Sequence, residues 1–419
     1  MAGRESIGAM PYRRRCDGFC AQERQDERHL WAKIGTFIAL LAILPVVGPA
    51  QEAVLGLIAV LSAAAHAMRH LVWAPHAPIN PANRNRGIAS FSPEECWNFF
   101  RFRKADLPAI IDKLGLPMEL RLKGEKSGHV NGESASLYLL YRLHYPQVLN
   151  GDQDRWGYEY SRLSRIFNTA LDEVYRLHEA KVCGSVDWYQ DRFDLYNRKI
   201  NINFANNQYN PFPGRIHPLF DNLFGFLDGC GSHICRPGGP GPLQNAFWNR
   251  YFHAHILIYQ GITFPDGLLI VEGPEPGFET DWIVWRNCLV RHQIEQIMQT
   301  RVANNQRRLK LYGDNMYWND PIITAAFNNR NGFIILPWMR RINLILSGAR
   351  VSIEWTFGKL LSLFKFTDYV KTQSLFLSPL AKQFKVSVLL LNAHTCIYGS
   401  HTSEYFDCDP PTLDDYFDQ

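Results

Sequence analysis

The sequence has few cysteines, little net charge and no uncharged segment of the roughly 20 residues that a membrane span needs. Nine cysteines in 419 residues are too few for a disulfide framework, and they predict reduced thiols in an intracellular compartment. The 44 basic and 40 acidic side chains leave a net charge of +4, which excludes a histone-like polycation. The apolar fraction of 46% is enough for a sizeable core and excludes disorder throughout. A chain of this length predicts roughly three folding units, or one large unit with appendages.

The N-terminal part contains two uncharged segments, residues 34–50 and 53–68. A membrane-spanning helix needs about 20 apolar residues, so the first segment is borderline and the second is too short. Two prolines interrupt the first segment near its end. A cleaved signal peptide is not expected, because the region before these segments is long and contains acids. We therefore expect residues 1–90 to be an extension with hydrophobic helices, with membrane association through residues 34–68 as the alternative.

Residues 91–181 have the pattern of apolar and charged residues that is typical of amphipathic helices. Ser92-Pro93-Glu94-Glu95 combines an N-cap, a first-turn proline and two first-turn acids, which predicts a helix start. A second start is expected at Ser134. The clearest helix follows Tyr160, with Ser161 as its cap. Its apolar residues recur at helical spacing at Leu163, Ile166, Phe167, Ala170, Leu171 and Val174.

The opposite face of this last helix contains Arg162, Arg165 and Thr169. A short helix, a break at Trp156-Gly157 and a second helix with exposed arginines are compatible with a helix-turn-helix, in which these three residues contact DNA. A plain surface helix is equally compatible, because arginine is common on solvent-facing positions.

Strands are expected in the second half of the chain. Residues 182–218 are rich in Asn, Tyr and Pro with little periodicity, and we interpret them as a linker. Phe264-Pro265-Asp266-Gly267 is a turn signal that predicts a hairpin. The expected strands cover residues 223–227, 251–259, 267–271, 309–312 and 333–336, and the expected helices cover residues 280–299 and 350–366. This order predicts an α/β domain over residues 219–400.

Acidic residues stand at the ends of two of these strands. Asp228 and Asp314 each follow a short apolar run, and residues just past buried strands lie at the sheet edge where ligand sites gather. Glu354 lies in an apolar helix, where an unpaired carboxylate is costly, and Arg350 is one turn away. Three acids at one point require cations, and oxygen ligands favour Mg²⁺ or Mn²⁺. Taken singly, each acid is also explained as a turn residue or a helix ion pair.

These motifs together resemble a known family. Asp228-Gly229, Pro265-Asp266-Gly267-Leu268, Tyr312-Gly313-Asp314 and the segment 352–358, with His255 and Gln260 on a hairpin strand, look like the PIF/Harbinger transposases and the nucleases derived from them. The resemblance covers roughly residues 219–397 and extends more loosely over residues 91–177.

The resemblance implies an RNase H-like DDE catalytic domain preceded by an all-α, helix-turn-helix-type region. It implies that Asp228, Asp314 and Glu354 are catalytic and hold two divalent cations, Mg²⁺ or Mn²⁺. It further implies DNA as the partner, as transposon ends or target DNA, a nuclear location, a separate DNA-binding accessory protein and self-association. The alternative is a catalytically inactive, transposon-derived protein that binds DNA or another protein.

The chain departs from the family at two places. Relatives usually have Gly-x-x-His-Asp-Ser where this chain has Glu279-Thr280-Asp281-Trp282, so Asp281 keeps the acid and Thr280 replaces the histidine. The resemblance implies Asp281 as a further metal ligand. Cys230 also replaces the usual threonine after Asp-Gly. Both differences are also compatible with a transposase copy that has lost its activity or acquired another function.

Two further features of the sequence have alternative interpretations. Five side chains could instead form a tetrahedral zinc site, although their spacing is looser than in common zinc knuckles. They are Cys230, His233, Cys235, His253 and His255. Residues 401–419 form an acidic tail, since the stretch from Glu404 to Gln419 has acids but no Lys or Arg. We expect this tail to be solvated, with masking of a basic DNA surface or recruitment of a partner as the alternatives.

Overall fold

The computed structural model describes residues 79–124, 128–147, 149–212, 214–215, 217–218, 220–238, 241–314, 316–329 and 334–418. The predicted hydrophobic extension, including residues 34–68, lies outside these residues except for its last part. The segment Asn80–Gln419 forms one compact unit. Its fold is of the mixed α/β class, as expected from the sequence.

Helices account for most of the described chain. They are α1 (Pro93–Phe100), α2 (Leu107–Leu114), α3 (Gly132–His144), α4 (Leu149–Trp156), α5 (Tyr160–Leu177), α6 (Glu179–Val182), α7 (Phe193–Ala205), α8 (Gly241–Phe247), α9 (Asp281–Asn287), α10 (Leu289–Ala303), α11 (Pro337–Leu363), α12 (Leu380–Tyr398), α13 (His401–Tyr405) and α14 (Leu413–Phe417). The predicted start of α1 is confirmed. The Ser92 hydroxyl accepts from the backbone N–H of Glu95, whose carboxylate accepts from the N–H of Ser92. The α3 start lies slightly earlier than predicted, because Asn131 caps it.

One mixed sheet occupies the centre of the second half of the chain. Its strands are β3 (Leu223–His233), β4 (Trp248–Asn249), β5 (Ala254–Thr263), β6 (Leu269–Pro276), β7 (Lys310–Gly313) and β8 (Ile323–Ala325), whereas β1 (Glu119–Arg121) and β2 (His129–Asn131) form a separate hairpin. Across the sheet the order is β6-β5-β3-β7-β8, with β4 extending the edge beside β5. β3 is antiparallel to β5 and parallel to β7, and β8 is parallel to β7. The predicted hairpin is therefore confirmed as β5 and β6.

The helical part packs against the same core as the sheet. The predicted apolar face of α5 is buried, and its Phe167 ring meets Phe366 at a centroid distance of 5.8 Å. His144 at the end of α3 contacts the carbonyl of Leu363 at the end of α11 through Nδ1, at 2.6 Å. Helical and sheet elements therefore share one hydrophobic core.

The linker prediction for residues 182–218 was wrong over α7. This helix packs against the sheet, with the ring of Phe193 at 4.3 Å from Phe224 and the ring of Tyr196 at 5.0 Å from Phe264. The aromatic residues of this segment fill the core, which its Asn-, Tyr- and Pro-rich composition did not reveal.

Two other expectations were also wrong. The strand after β7 is Ile323–Ala325, whereas residues 334–336 precede α11 without forming a strand. The C-terminal tail is not simply solvated, since Tyr416 is buried and accepts a hydrogen bond from Asn392. Lys113 of α2 also pairs with Asp414 at 2.9 Å and with Asp418 at 2.7 Å. The tail acids thus have basic partners elsewhere in the fold.

Candidate site: an acid cluster beside the central strand

The parallel pairing of β3 and β7 positions the first two acids. Phe226 is the register partner of Tyr312, and Asp228 and Asp314 each follow two residues later. The two acids therefore leave adjacent strands in the same direction. Asp228 lies within β3 rather than after it, because β3 continues to His233 in pairing with β5. Sequence reasoning ended this strand too early because Asp228-Gly229 has the composition of a turn.

A buried glutamine fixes the backbone at the first acid. The side-chain amide of Gln260 on β5 donates to the carbonyl of Asp228 at 2.8 Å and to the hydroxyl of Tyr317 at 2.9 Å. Gln260 is 2% exposed. Its role in orienting this strand was not predicted, although Gln260 was among the residues that carry the family resemblance.

The third acid, Asp281, begins α9 and lies directly over the backbone of β3. A Cβ atom at position 229 would overlap the Oδ1 atom of Asp281, so only glycine allows this approach. The Asp228-Gly229 pair therefore has a steric explanation: the glycine makes room for a second carboxylate beside the first.

Glu354 joins the cluster through Arg350. The guanidinium of Arg350 donates to Asp228 Oδ2 at 2.5 Å and to Glu354 Oε1 at 2.7 Å. The pairing of Arg350 with Glu354, one turn apart on α11, was predicted, whereas the contact with Asp228 was not. The expected apolar surroundings of Glu354 were wrong, because its side chain is 51% exposed.

The acids raise one another's proton affinity. Burial raises the pKa of Asp228 to about 6, and the negative charges of Asp314 and Asp281 act in the same direction. Arg350 opposes this shift with its positive charge. Burial, with Asp314 as the second cause, also raises the pKa of Asp281. These couplings indicate that Asp228, Asp281 and Asp314 share one poorly solvated region.

Comparisons with protein-family models, curated proteins and solved structures found no match. The PIF/Harbinger assignment therefore stays a prediction that rests on the motifs.

The side chains of this site are of the chemical type that binds divalent cations. Asp228 and Glu354 pair with the guanidinium of Arg350, whose pKa the charge of Asp314 also raises, and carboxylate oxygens are the ligands that Mg²⁺ and Mn²⁺ prefer. In the part of the chain that the structure describes, no three Asp, Glu, His or Cys side chains are grouped closely enough to hold an ion. Arg350 instead bridges Asp228 and Glu354. Joint ligation by these two acids thus requires Arg350 to release at least one of them.

The alternative zinc site finds no support in the described residues. The Cys235 thiol donates to the carbonyl of Val370 at 2.8 Å, and burial raises the pKa of Cys230 to about 12, which disfavours a thiolate. None of the cysteines and histidines named for this site belongs to a metal-binding group among the described residues. Their environment is that of strand and loop packing.

The residues predicted to contact DNA on α5 are less exposed than expected. Thr169 is 4% exposed and accepts a hydrogen bond from the backbone N–H of Lys123, so its assignment to the exposed face was wrong. Arg162 donates to the carbonyl of His129 at 2.9 Å and lies over the Tyr158 ring. Arg165 is half-buried. The expected helix, glycine break and helix are present in α4 and α5, but a helix-turn-helix stays a prediction.

No helix among the described residues is both long and apolar enough to cross a membrane. Residues 34–68, which carry the alternative of membrane association, lie outside the described part of the chain.

Proposed function

We propose that this protein is a metal-dependent DNA nuclease or transposase of the DDE type, with an RNase H-like catalytic domain. The observation that carries the proposal is that Asp228, Asp281 and Asp314 interact electrostatically beside β3, and that Arg350 connects Glu354 to Asp228. Asp228 comes from β3, Asp314 follows β7, Asp281 begins α9, and Glu354 comes from α11. The antiparallel strands β3, β5 and β6, followed by parallel β7 and β8, also support this fold.

The chain's own residues would prepare the site for a phosphodiester. Gln260 and the close approach at Gly229 fix the positions of Asp228 and Asp281, and Arg350 holds Glu354 beside them. Two divalent cations held by these acids would supply charge stabilisation for the attacking and leaving oxygens. In this proposal the substrate is DNA in the nucleus, as transposon ends or target DNA. Self-association and a separate DNA-binding accessory protein belong to the same proposal.

A second candidate is a DNA- or protein-binding protein without catalytic activity. The bridging position of Arg350 favours it, because this guanidinium already neutralises two of the acids that would hold cations. The two candidates differ in whether a divalent cation can compete with Arg350.

A plasmid-nicking assay with and without Mg²⁺ or Mn²⁺ separates the two candidates. Under the proposal, the wild type nicks supercoiled DNA only with the cation, and Asp228→Asn or Glu354→Gln lowers the rate about a hundredfold or more. Asp154→Asn, which changes an exposed acid on α4, serves as the matched control and should keep full activity.

DNA binding, measured in parallel, should be similar or stronger in the two site variants, because phosphate contacts elsewhere provide the affinity. Binding without any cation-dependent nicking would favour the second candidate. Equal nicking by the wild type and both site variants would place the activity outside this cluster.

A further inference from the structure

An exposed aromatic surface lies at the end of the sheet near the acid cluster. We call Trp248, Tyr251 and Phe252 the aromatic platform. Their side chains are 40%, 85% and 43% exposed, respectively. The rings of Tyr251 and Phe252 meet edge to face at 5.0 Å. Large exposed aromatic side chains lose little hydration free energy when a partner covers them. Such side chains are typical of recognition surfaces.

The platform is held rigidly. The side-chain carbonyl of Asn249 accepts hydrogen bonds from the backbone N–H groups of Tyr251 and Phe252, at 2.9 and 3.1 Å. The amide of Asn249 donates to the carbonyl of Gly277 at 2.8 Å. The ring of Trp248 packs edge to face on His255 of β5 at 5.1 Å. Binding here would therefore cost little ordering of the loop.

The platform lies on the same face of β3 as Asp281, one of the acids of the cluster. The Phe252 ring lies against Gly231, and Asp281 lies against Gly229. Residues two apart on a strand face the same side and are about 7 Å apart. The distance between neighbouring nucleotides in a single strand is of the same order. A strand that passes Asp281 can therefore place a base over Phe252 or Tyr251.

The charge of this segment suits a polyanion. Residues 229–265 contain no Asp or Glu, whereas Arg236 and Arg250 are both exposed. Arg236 lies near the platform, because its positive charge is one of the causes that lower the pKa of His255. Exposed aromatic rings flanked by guanidinium groups are the combination that binds single-stranded nucleic acid.

We propose that the aromatic platform binds unpaired bases of a DNA strand by stacking, beside the position where the acid cluster meets its backbone. This inference extends the proposed function, since it names unpaired bases as part of the substrate. The platform itself requires no cation.

The test uses the full chain, EDTA and two fluorescent probes of equal length, oligothymidine and an abasic oligomer. Stacking contributes a factor of roughly five to a hundred in affinity per base. Tyr251→Ala should therefore weaken oligothymidine binding by such a factor and leave binding of the abasic strand unchanged, whereas Tyr251→Phe restores it. Tyr209→Ala, at another exposed tyrosine between α7 and β3, is the matched control and should bind as the wild type does.

The arginines provide a second readout. Replacing Arg236 and Arg250 by alanine should lower the slope of log affinity against log salt by up to about 1.4, for both probes. Equal binding of oligothymidine by the wild type and Tyr251→Ala would overturn the proposal. So would an equal loss on the abasic strand, or a dimer in sedimentation that Tyr251→Ala dissociates while no probe binds.

These results are separable from the nuclease proposal. A wild type that binds oligothymidine through Tyr251 but does not nick plasmid would keep the platform and refute the nuclease. Cation-dependent nicking together with Tyr251-independent binding would keep the nuclease and refute the platform.

Discussion

Asp228→Asn should stabilise the folded protein at alkaline pH. The pKa of Asp228 lies near 6 in the fold, whereas an aspartate in an unfolded chain has a pKa near 4. The ionised carboxylate is therefore disfavoured in the fold, and stability falls as the pH rises from about 4 to above 6. At pH 8 this difference corresponds to about 3 kcal/mol, and at pH 5 to roughly half as much.

The substitution removes the charge and one hydrogen bond, because the amide nitrogen of asparagine takes the place of the Oδ2 atom and cannot accept from Arg350. Asparagine keeps the Oδ1 atom that accepts from the N–H of Gly229, and Arg350 keeps its ion pair with Glu354. We therefore expect a gain in the free energy of unfolding of about 1–2 kcal/mol at pH 8, less than the roughly 3 kcal/mol from the charge alone, and a smaller gain at pH 5. Asp154→Asn, at an exposed position, should change stability by no more than about 0.5 kcal/mol at either pH.

Denaturant unfolding at pH 8 and pH 5, without divalent cations, measures this difference directly. A loss of stability at pH 8, or a gain of equal size at both pH values, would refute the reasoning. The first result would mean that the ion pair with Arg350 outweighs the burial of Asp228. Added Mg²⁺ should raise the unfolding temperature of the wild type more than that of Asp228→Asn, because cation binding to the fold adds stability.

Three further substitutions test other parts of the structure. Arg162→Ala should lower the free energy of unfolding in urea by about 1–2 kcal/mol, since the guanidinium donates to a β2 carbonyl and lies over an aromatic ring. A change under about 0.5 kcal/mol would indicate a solvent-facing side chain. Burial lowers the pKa of His394 to about 3, so the unfolded chain gains a proton first on acidification; His394→Leu should remove about 2 kcal/mol of the stability that the wild type loses between pH 8 and pH 5. Gly229→Ala should displace Asp281 and lower cation-dependent nicking at least tenfold, whereas Gly348→Ala, whose Cβ meets no atom within 4 Å, should leave nicking unchanged.

Local signals in the sequence predicted the elements whose stabilisation is also local. The Ser92 cap, the apolar face of α5 and the β5–β6 turn depend on residues within a few positions of one another. Asp228, Asp314 and Glu354 were named because they interrupt or follow apolar runs, whereas Asp281 was named only through the family resemblance. Arg350 was paired with Glu354 because four residues on a helix bring side chains together.

Most of the missed features depend on tertiary packing. The buried residues of α7 recur at helical spacing, at Phe193, Tyr196, Asn197, Ile200 and Phe204, but the Asn-, Tyr- and Pro-rich composition of residues 182–218 concealed this period. The burial of Thr169 depends on Lys123, which lies 46 residues away in the chain. The second partner of Arg350, Asp228, lies 122 residues away. No local pattern contains these long-range contacts.

The shared core limits how this protein can be divided or recombined. Phe167 of α5 packs on Phe366, the guanidinium of Arg142 lies over the same ring, and His144 contacts Leu363. A fragment cut between the helical part and the sheet would expose these surfaces on both pieces. The helical part is therefore not an independent folding unit that can be exchanged between proteins. A change of binding partner would arise through single substitutions on the outer surface and not through recombination of whole segments.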